Sequence, residues 1–348
     1  MDDLNTQLSL VENIEKYKLG GRILSQILND LILNIKEDQI ISNLCKQCDT
    51  NLLTELNKYK KYDTKGLSFP TCISKNNIAG YYNDDQTKIK DKDVLKIELG
   101  IHIDNFPVLL CYTHIIGTIQ NNKLHTVYQG AIEASREILK ILTPSHNNFD
   151  VVRVLSDIEK KHSINLLQAK NIDNKTPGII SYQMSQNIIS DYNDDCYDNL
   201  HKFIINKHRE HYDFQLSETP FEENEVYAID IAYSTGTGKL TETEFKPLIY
   251  KKTDQRTNLK LKASREIYKH FNKENYPIDI RNINLLSNIK NMGIKDCSNK
   301  KLIEPYTIFK EKNNEYIVRI MFTVIITDNK PILISGKNSD QELLKISK

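Results

Sequence analysis

Two acidic residues stand where acids are costly. Glu98 falls inside Asp93-Val94-Leu95-Lys96-Ile97-Glu98-Leu99, and Asp230 inside Glu225-Val226-Tyr227-Ala228-Ile229-Asp230-Ile231. Both runs read acid, Val, two residues, Ile, acid, aliphatic: an apolar strand carrying one carboxylate. An ionised carboxylate in an apolar layer must meet a metal, a cation or several hydrogen-bond donors. On a half-exposed strand, alternation would turn either acid to solvent, and for one such strand that is the plainer reading. The recurrence favours two acids converging on one pseudo-symmetric cavity. Such a pair can hold divalent metal if further ligands join it.

Other chemistry-bearing motifs are weaker. Cys45 and Cys48 form a C-x-x-C, but zinc needs a second pair, and the candidates His208 and His211 lie far off on a charged segment. Three-residue spacing on a helix simply places the two thiols on one face. Ser234-Thr235-Gly236-Thr237-Gly238-Lys239 resembles a phosphate loop, yet Tyr233 and Leu240 stand where that motif needs Gly and Ser or Thr. It reads as a turn between strands. His102 and His114 have no Ser or Cys nucleophile pattern beside them, so both are expected to be satisfied core or loop histidines.

A third feature is electrostatic. The chain of 348 residues carries 47 Lys and Arg against 46 Asp and Glu, a net charge of +1, which excludes a uniformly basic protein that coats nucleic acid. Residues 251–301 nevertheless hold 13 basic residues against five acids, leaving −7 on the remainder. Within that window, helical spacing gathers Lys262, Arg265, Lys269 and Lys273 on one face, opposite an apolar face of Leu259, Ala263, Ile267 and Phe271. A charge run is usually a solvated face, but solvated helices alternate signs, and this stripe sets one acid, Glu266, against four bases. With Lys251, Lys252, Arg256 and Lys260 it forms a candidate phosphate-binding surface.

The elements that must position these groups come in blocks. Residues 10–61 predict two helices, followed by strands at 68–73, 94–100 and 108–117. Helices return over 126–141 and 151–161, with later strands near 225–233 and 316–327. Blocks of strands and helices point to an α+β layered fold rather than strict βαβ alternation. Composition (39% hydrophobic, 27% charged) excludes a disordered or fibrous chain. No run approaches the apolar length of a membrane span and no leader is recognised, so no membrane partner is expected. Six cysteines scattered through a long chain read as reduced cytosolic thiols.

Taken in order, several segments resemble the pita-bread (creatinase/aminopeptidase) fold of type 2 methionine aminopeptidases. The likeness is strongest to the non-peptidase family of proliferation-associated protein 2G4, the ErbB-3-binding proteins. The segments are Lys16-Tyr17-Lys18-Leu19-Gly20-Gly21, Phe69-Pro70-Thr71 with Ser74 and Asn76-Asn77, Lys96 through Asp104, His114, and Thr176-Pro177. They continue in Ser181-Tyr182-Gln183-Met184, Val226 through Asp230, Leu259 through Lys262 with Ser264-Arg265, and Phe322-Thr323-Val324. The resemblance implies one pita-bread domain over 1–348, with a pseudo-two-fold core and a basic helical insertion at about 251–308.

Peptidases of this kind hold two metals with two Asp, one His and two Glu. Carried over by position, Glu98 stands for the first Asp, Leu109 for the second, Tyr182 for the His, Asp230 for the first Glu and Met321 for the last. Tyr81 replaces the substrate-binding His. Leu109 cannot bind metal, Met321 is a poor ligand for hard ions and a neutral Tyr182 is weak, so neither peptidase activity nor a cofactor is expected. Glu98 and Asp230 would then be structural, hydrogen-bonded to Lys96 or Tyr182.

The resemblance further implies association with the large ribosomal subunit near the peptide exit, through rRNA and exit-site proteins. The protein would be a monomer in the cytoplasm, with nucleus and nucleolus open to it. Residues 330–348 hold four lysines against two acids, so RNA binding is expected of the folded body. The alternatives are a divergent metallo-aminopeptidase and a scaffold that holds peptide in the old substrate cleft.

Overall fold

Strand pairing explains why the two acids could converge. The computed structural model describes residues 11–83, 86–118, 121–169, 180–189, 202–207 and 218–336. Helices α1 (Val11–Asn34) and α2 (Ile41–Leu56) lead into β1 (Lys65–Lys75), β2 (Val94–Ile103) and β3 (Phe106–Ile115). After α3 (Asn122–Ile141) and α4 (Asn148–His162) come β4 (Asn165–Leu166), β5 (Gln168–Ala169), β6 (Ile180–Met184), β7 (Phe203–Ile205), β8 (Val226–Ser234) and β9 (Lys239–Glu242). Next are β10 (Ile249–Lys252), α5 (Lys262–Phe271), β11 (Ile278–Asp279), α6 (Ser287–Asn299) and β12 (Ile303–Pro305). The described chain closes with β13 (Phe309–Lys310), β14 (Ile317–Ile325) and β15 (Ile332–Leu333).

The large sheet runs β1-β2-β3-β14-β8-β6-β7 with antiparallel neighbours, so β2 and β8 flank the central pair β3 and β14 symmetrically. Every residue of β2 and β8 is buried, which is why both read as near-continuous apolar runs. Each half has its own helix pair. Leu24, Leu28 and Leu52 of α1 and α2 join Leu99, Ile101 and Leu109 in one cluster; Val127, Ala131 and Ile138 of α3 join Ile229, Val318 and Val324 in another.

Helix starts were the least legible boundaries. The cap of α3 is Asn121, whose side chain accepts from the Leu124 amide, and α4 begins with a capping box between Asn147 and Asp150. Both helices therefore start three to four residues before their apolar periodicity does, because first turns are polar.

The segment between β9 and β13 builds a separate small core. A second sheet, β11-β10-β12, packs beneath α5 and α6, burying Tyr250, Ile267, Phe271, Ile294, Cys297, Leu302 and Ile303. Gly293 lets the two helices touch, since a Cβ there would lie 2.6 Å from the Ala263 carbonyl oxygen. Ala263, Ile267 and Phe271 face inward, while Lys262, Arg265 and Lys269 are exposed, as the periodicity predicts. Lys273 lies beyond the helix, which ends at Phe271. These three strands, two to four residues long, are too short to leave a periodic signal.

Candidate functional site

One row of residues crosses the sheet at its centre. Cys72 pairs with Glu98, Glu98 with Cys111, Cys111 with Met321, and Met321 with Asp230. Alternation puts the residues two places along β14 on the same face, and there stands Arg319. Its guanidinium lies between the two acids. Nε donates to both Asp230 oxygens at 2.9 and 3.1 Å, and Nη2 to Asp230 Oδ2 at 2.7 Å. On the other side Nη1 reaches Glu98 Oε2 at 2.9 Å and Nη2 reaches Oε1 at 3.2 Å. Arg319 and both carboxylates are almost completely buried.

Five charge-assisted bonds use the fork geometry only arginine offers. Burial opposes the arginine's charge, but Asp230 and Glu98 outweigh it and hold the guanidinium protonated well above its ordinary range. Burial lifts Glu98 above the usual carboxylate range, with Arg319 pulling it back. Gly80 is required beside this group, because a Cβ there would meet Arg319 Nη1 at 2.5 Å.

The structure corrects the expected partners of the acids. Lys96 is buried on the same strand, but its Nζ donates to the Asn76 carbonyl at 2.6 Å, and burial holds its pKa well below the lysine range. Arg319, not Lys96 or Tyr182, is the cation that Glu98 and Asp230 share. The signal was present in the sequence: an arginine inside Ile317–Ile325 is as anomalous as an acid inside β2.

A model of metallopeptidase family M24 matches residues 15–239 of the chain. The chain belongs to metallopeptidase family M24. It is 28% identical to ERBB-3 BINDING PROTEIN 1 of Arabidopsis thaliana over 94% of this chain and 81% of that protein. It is also 28% identical to the Curved DNA-binding protein of Schizosaccharomyces pombe, over 98% and 88%. Among solved structures, a thermophilic Arx1 superposes with a TM-score of 0.80 at 19% identity, covering 97% of this chain and 98% of that one. The architecture is the pita-bread fold of the M24 aminopeptidases and prolidases.

An M24 peptidase's two metals would have to sit at this row, and the residues present do not fit them. Leu109 and Met321 are buried and apolar, and the main chain of Leu109 is tied to Thr323 Oγ1 at 2.9 Å. Tyr182 is pushed well above the ordinary phenol range by burial and by neighbouring Tyr81 and Tyr306, so it stays neutral. Among the described residues, no three His, Cys, Asp or Glu side chains are grouped to hold a metal ion.

The space above the row is filled. Tyr81, expected at the substrate-His position, lies 5.3 Å from the Arg319 guanidinium carbon, measured to its ring centre. Its ring packs 5.7 Å from Phe69 and 5.0 Å from Tyr306, which follows β12. The segment between β9 and β13 thus contributes an aromatic group to the packing over Arg319. Tyr81 holds a positive φ of 62°, a backbone state uncommon for a bulky L residue.

The remaining motifs resolve simply. Cys45 and Cys48 are buried on α2, and burial pushes the Cys48 thiol up to about 12, as core thiols require. His208 and His211 lie outside the described residues. The Ser234–Lys239 turn does bind an anion, but an internal one: Glu311 accepts from the Gly238 amide at 2.6 Å and from Ser234 Oγ at 3.2 Å. His102 departs from expectation. It is buried, its Nδ1 has no hydrogen-bond partner, and burial lowers its pKa to about 4.

Of the basic residues, Lys252, Arg256, Lys260, Lys262, Arg265, Lys269 and Lys273 are exposed. Lys251 is half-buried and lies 3.7 Å from Glu304, so its charge is partly engaged. Arg265 folds back to donate to the carbonyls of Leu259 and Lys260 at 3.0 and 2.7 Å.

Proposed function

We propose that this M24-fold protein is catalytically inactive and associates with the large ribosomal subunit near the peptide exit, meeting rRNA through its 251–308 insertion. The observation that carries the inactivity is the Arg319 guanidinium between Glu98 and Asp230. A resident cation repels divalent ions from the only two carboxylates that occupy ligand positions.

The RNA reading is supported by where the charges stand on α5. Lys262 opens the helix and Arg265 lies one turn in, with no acid in the first turn. Cations at the positive end of a helix dipole cost stability. Lys262 and Arg265 therefore run against their own helix, while Lys269 in the last turn runs with it, and Lys262 serves an external anion better than it serves the fold. One relative is named for binding curved DNA, which agrees with recognition of a phosphate backbone by shape and charge.

Two measurements test this. Elemental analysis of the purified protein is expected to find no stoichiometric Mn, Co, Zn or Fe, and a methionyl peptide is expected to stay uncleaved; a metal equivalent or released methionine would overturn the inactive assignment. Labelled duplex RNA is expected to bind the wild type and to lose binding to the Lys262→Glu, Arg265→Glu, Lys269→Glu variant. Unchanged binding would overturn the assignment of the stripe.

A further inference from the structure

Between the body and the insertion runs a second cleft, of about 670 Å³, whose lining includes none of Glu98, Asp230, Arg319 or Tyr81. It is lined by Asp63–Leu67 and His102 from the large sheet, and by His270 and Lys273–Asp279 from the insertion. Both walls are sheet edges. β1 is the terminal strand of the large sheet, and β11 is the terminal strand of the small one.

The phase of the β1–β2 ladder decides which main-chain groups face the cleft. The Asp104 amide donates to the Thr64 carbonyl at 2.6 Å, and Gly66 stands opposite His102. In an antiparallel ladder, bonded pairs alternate with unbonded ones. Thr64 and Gly66 therefore bond to the β2 side, and Lys65 and Leu67 turn their amides and carbonyls outward. Among the described residues, no main-chain hydrogen bond from another element reaches those outward groups.

Farther along, the same edge is closed. A bulge follows Leu67, the Thr71 amide donates to Asp49 Oδ1 at 3.0 Å, and the Ile73 amide donates to the Tyr82 carbonyl at 2.9 Å. Folded proteins usually block exposed strand edges. This one is blocked at Thr71 and Ile73 and, among the described residues, open beside the cleft.

We propose that the cleft binds an extended peptide segment of another protein, which adds as a strand to β1 at Lys65 and Leu67. Alternating outward donors and acceptors match another extended backbone. The charges favour peptide over RNA: Asp63 and Glu274 balance Lys65 and Lys273, and Asp279 is paired with Arg281, in contrast with the stripe on α5. Neutral amide and hydroxyl groups of Thr64, Asn105 and Asn275 complete a lining suited to peptide groups. This site is distinct from the old substrate cleft and does not depend on ribosome binding.

The test uses the full-length protein and a panel of fluorescent Thr- and Val-rich peptides, read by anisotropy. Binding is expected from some members, insensitive to salt. N-methylation of one alternate set of a binding peptide's amides is expected to weaken it at least about tenfold, and the other set to leave it unchanged. Hydrogen exchange at the Lys65 and Leu67 amides is expected to slow in the complex. The Lys262→Glu, Arg265→Glu, Lys269→Glu variant should bind peptide as the wild type does, which separates this site from the RNA surface. No binding across the panel, equal effects of the two N-methylation sets, or unchanged exchange at Lys65 and Leu67 would each overturn the proposal.

Discussion

Arg319 gives a pair of stranded acids one shared cation and ties β2, β8 and β14 together. Breaking a buried ion pair from one side leaves uncompensated charge, which costs about 3–5 kcal/mol. Arg319→Met is expected to lose that much in urea unfolding, and adding Glu98→Leu and Asp230→Leu should recover most of it, because no charge then remains buried. His102 makes a separate prediction. Its folded pKa is lowered to about 4 from 6.5, so its contribution is intact above pH 6.5 and is lost as pH falls toward 4. Relative to His102→Gln, the wild type should lose up to about 3 kcal/mol across that window, measured as the difference between two unfolding curves. A flat difference would mean the imidazole finds a proton partner. Glu98 and Asp230 were legible because each interrupts an apolar strand. Their partner was not, because the family's ligand spacing directs attention to Met321, two residues along the same face.

At the scale of elements, periodicity placed the long strands and the faces of the long helices, since burial of a full face imposes a period of 2 or 3.6. It could not place β10, β11 and β12, or the edge of β1 that stays open, because a main-chain edge leaves no mark in side-chain types. The exposed stripe on α5 was legible in the same way as its buried face. The conflict of Lys262 with the helix dipole leads to an opposed pair of effects. Lys262→Glu puts an acid at the positive end and should stabilise the protein by about 0.3–1 kcal/mol in thermal unfolding, while it weakens RNA binding. A substitution that lost both stability and binding would instead make Lys262 a structural residue.

For the whole molecule, a net charge of +1 conceals polarity: +8 on residues 251–301 and −7 on the rest. The longer segment between β9 and β13, which contains those 51 residues, forms its own small core and sends Tyr306 onto Tyr81 above Arg319, so the basic surface and the aromatic packing over Arg319 share one segment. Phosphate binding by such a surface releases counterions, so affinity should fall with a log–log salt slope of roughly −0.9 per phosphate contacted. Co-sedimentation with ribosomes across a salt series, wild type beside the Lys262→Glu, Arg265→Glu, Lys269→Glu variant, tests this most directly. The wild type should pellet with the large subunit at low salt and be released steeply as salt rises, and the variant should stay in the supernatant. Pelleting by both proteins with the same salt dependence, or by neither, would contradict ribosome association through the insertion.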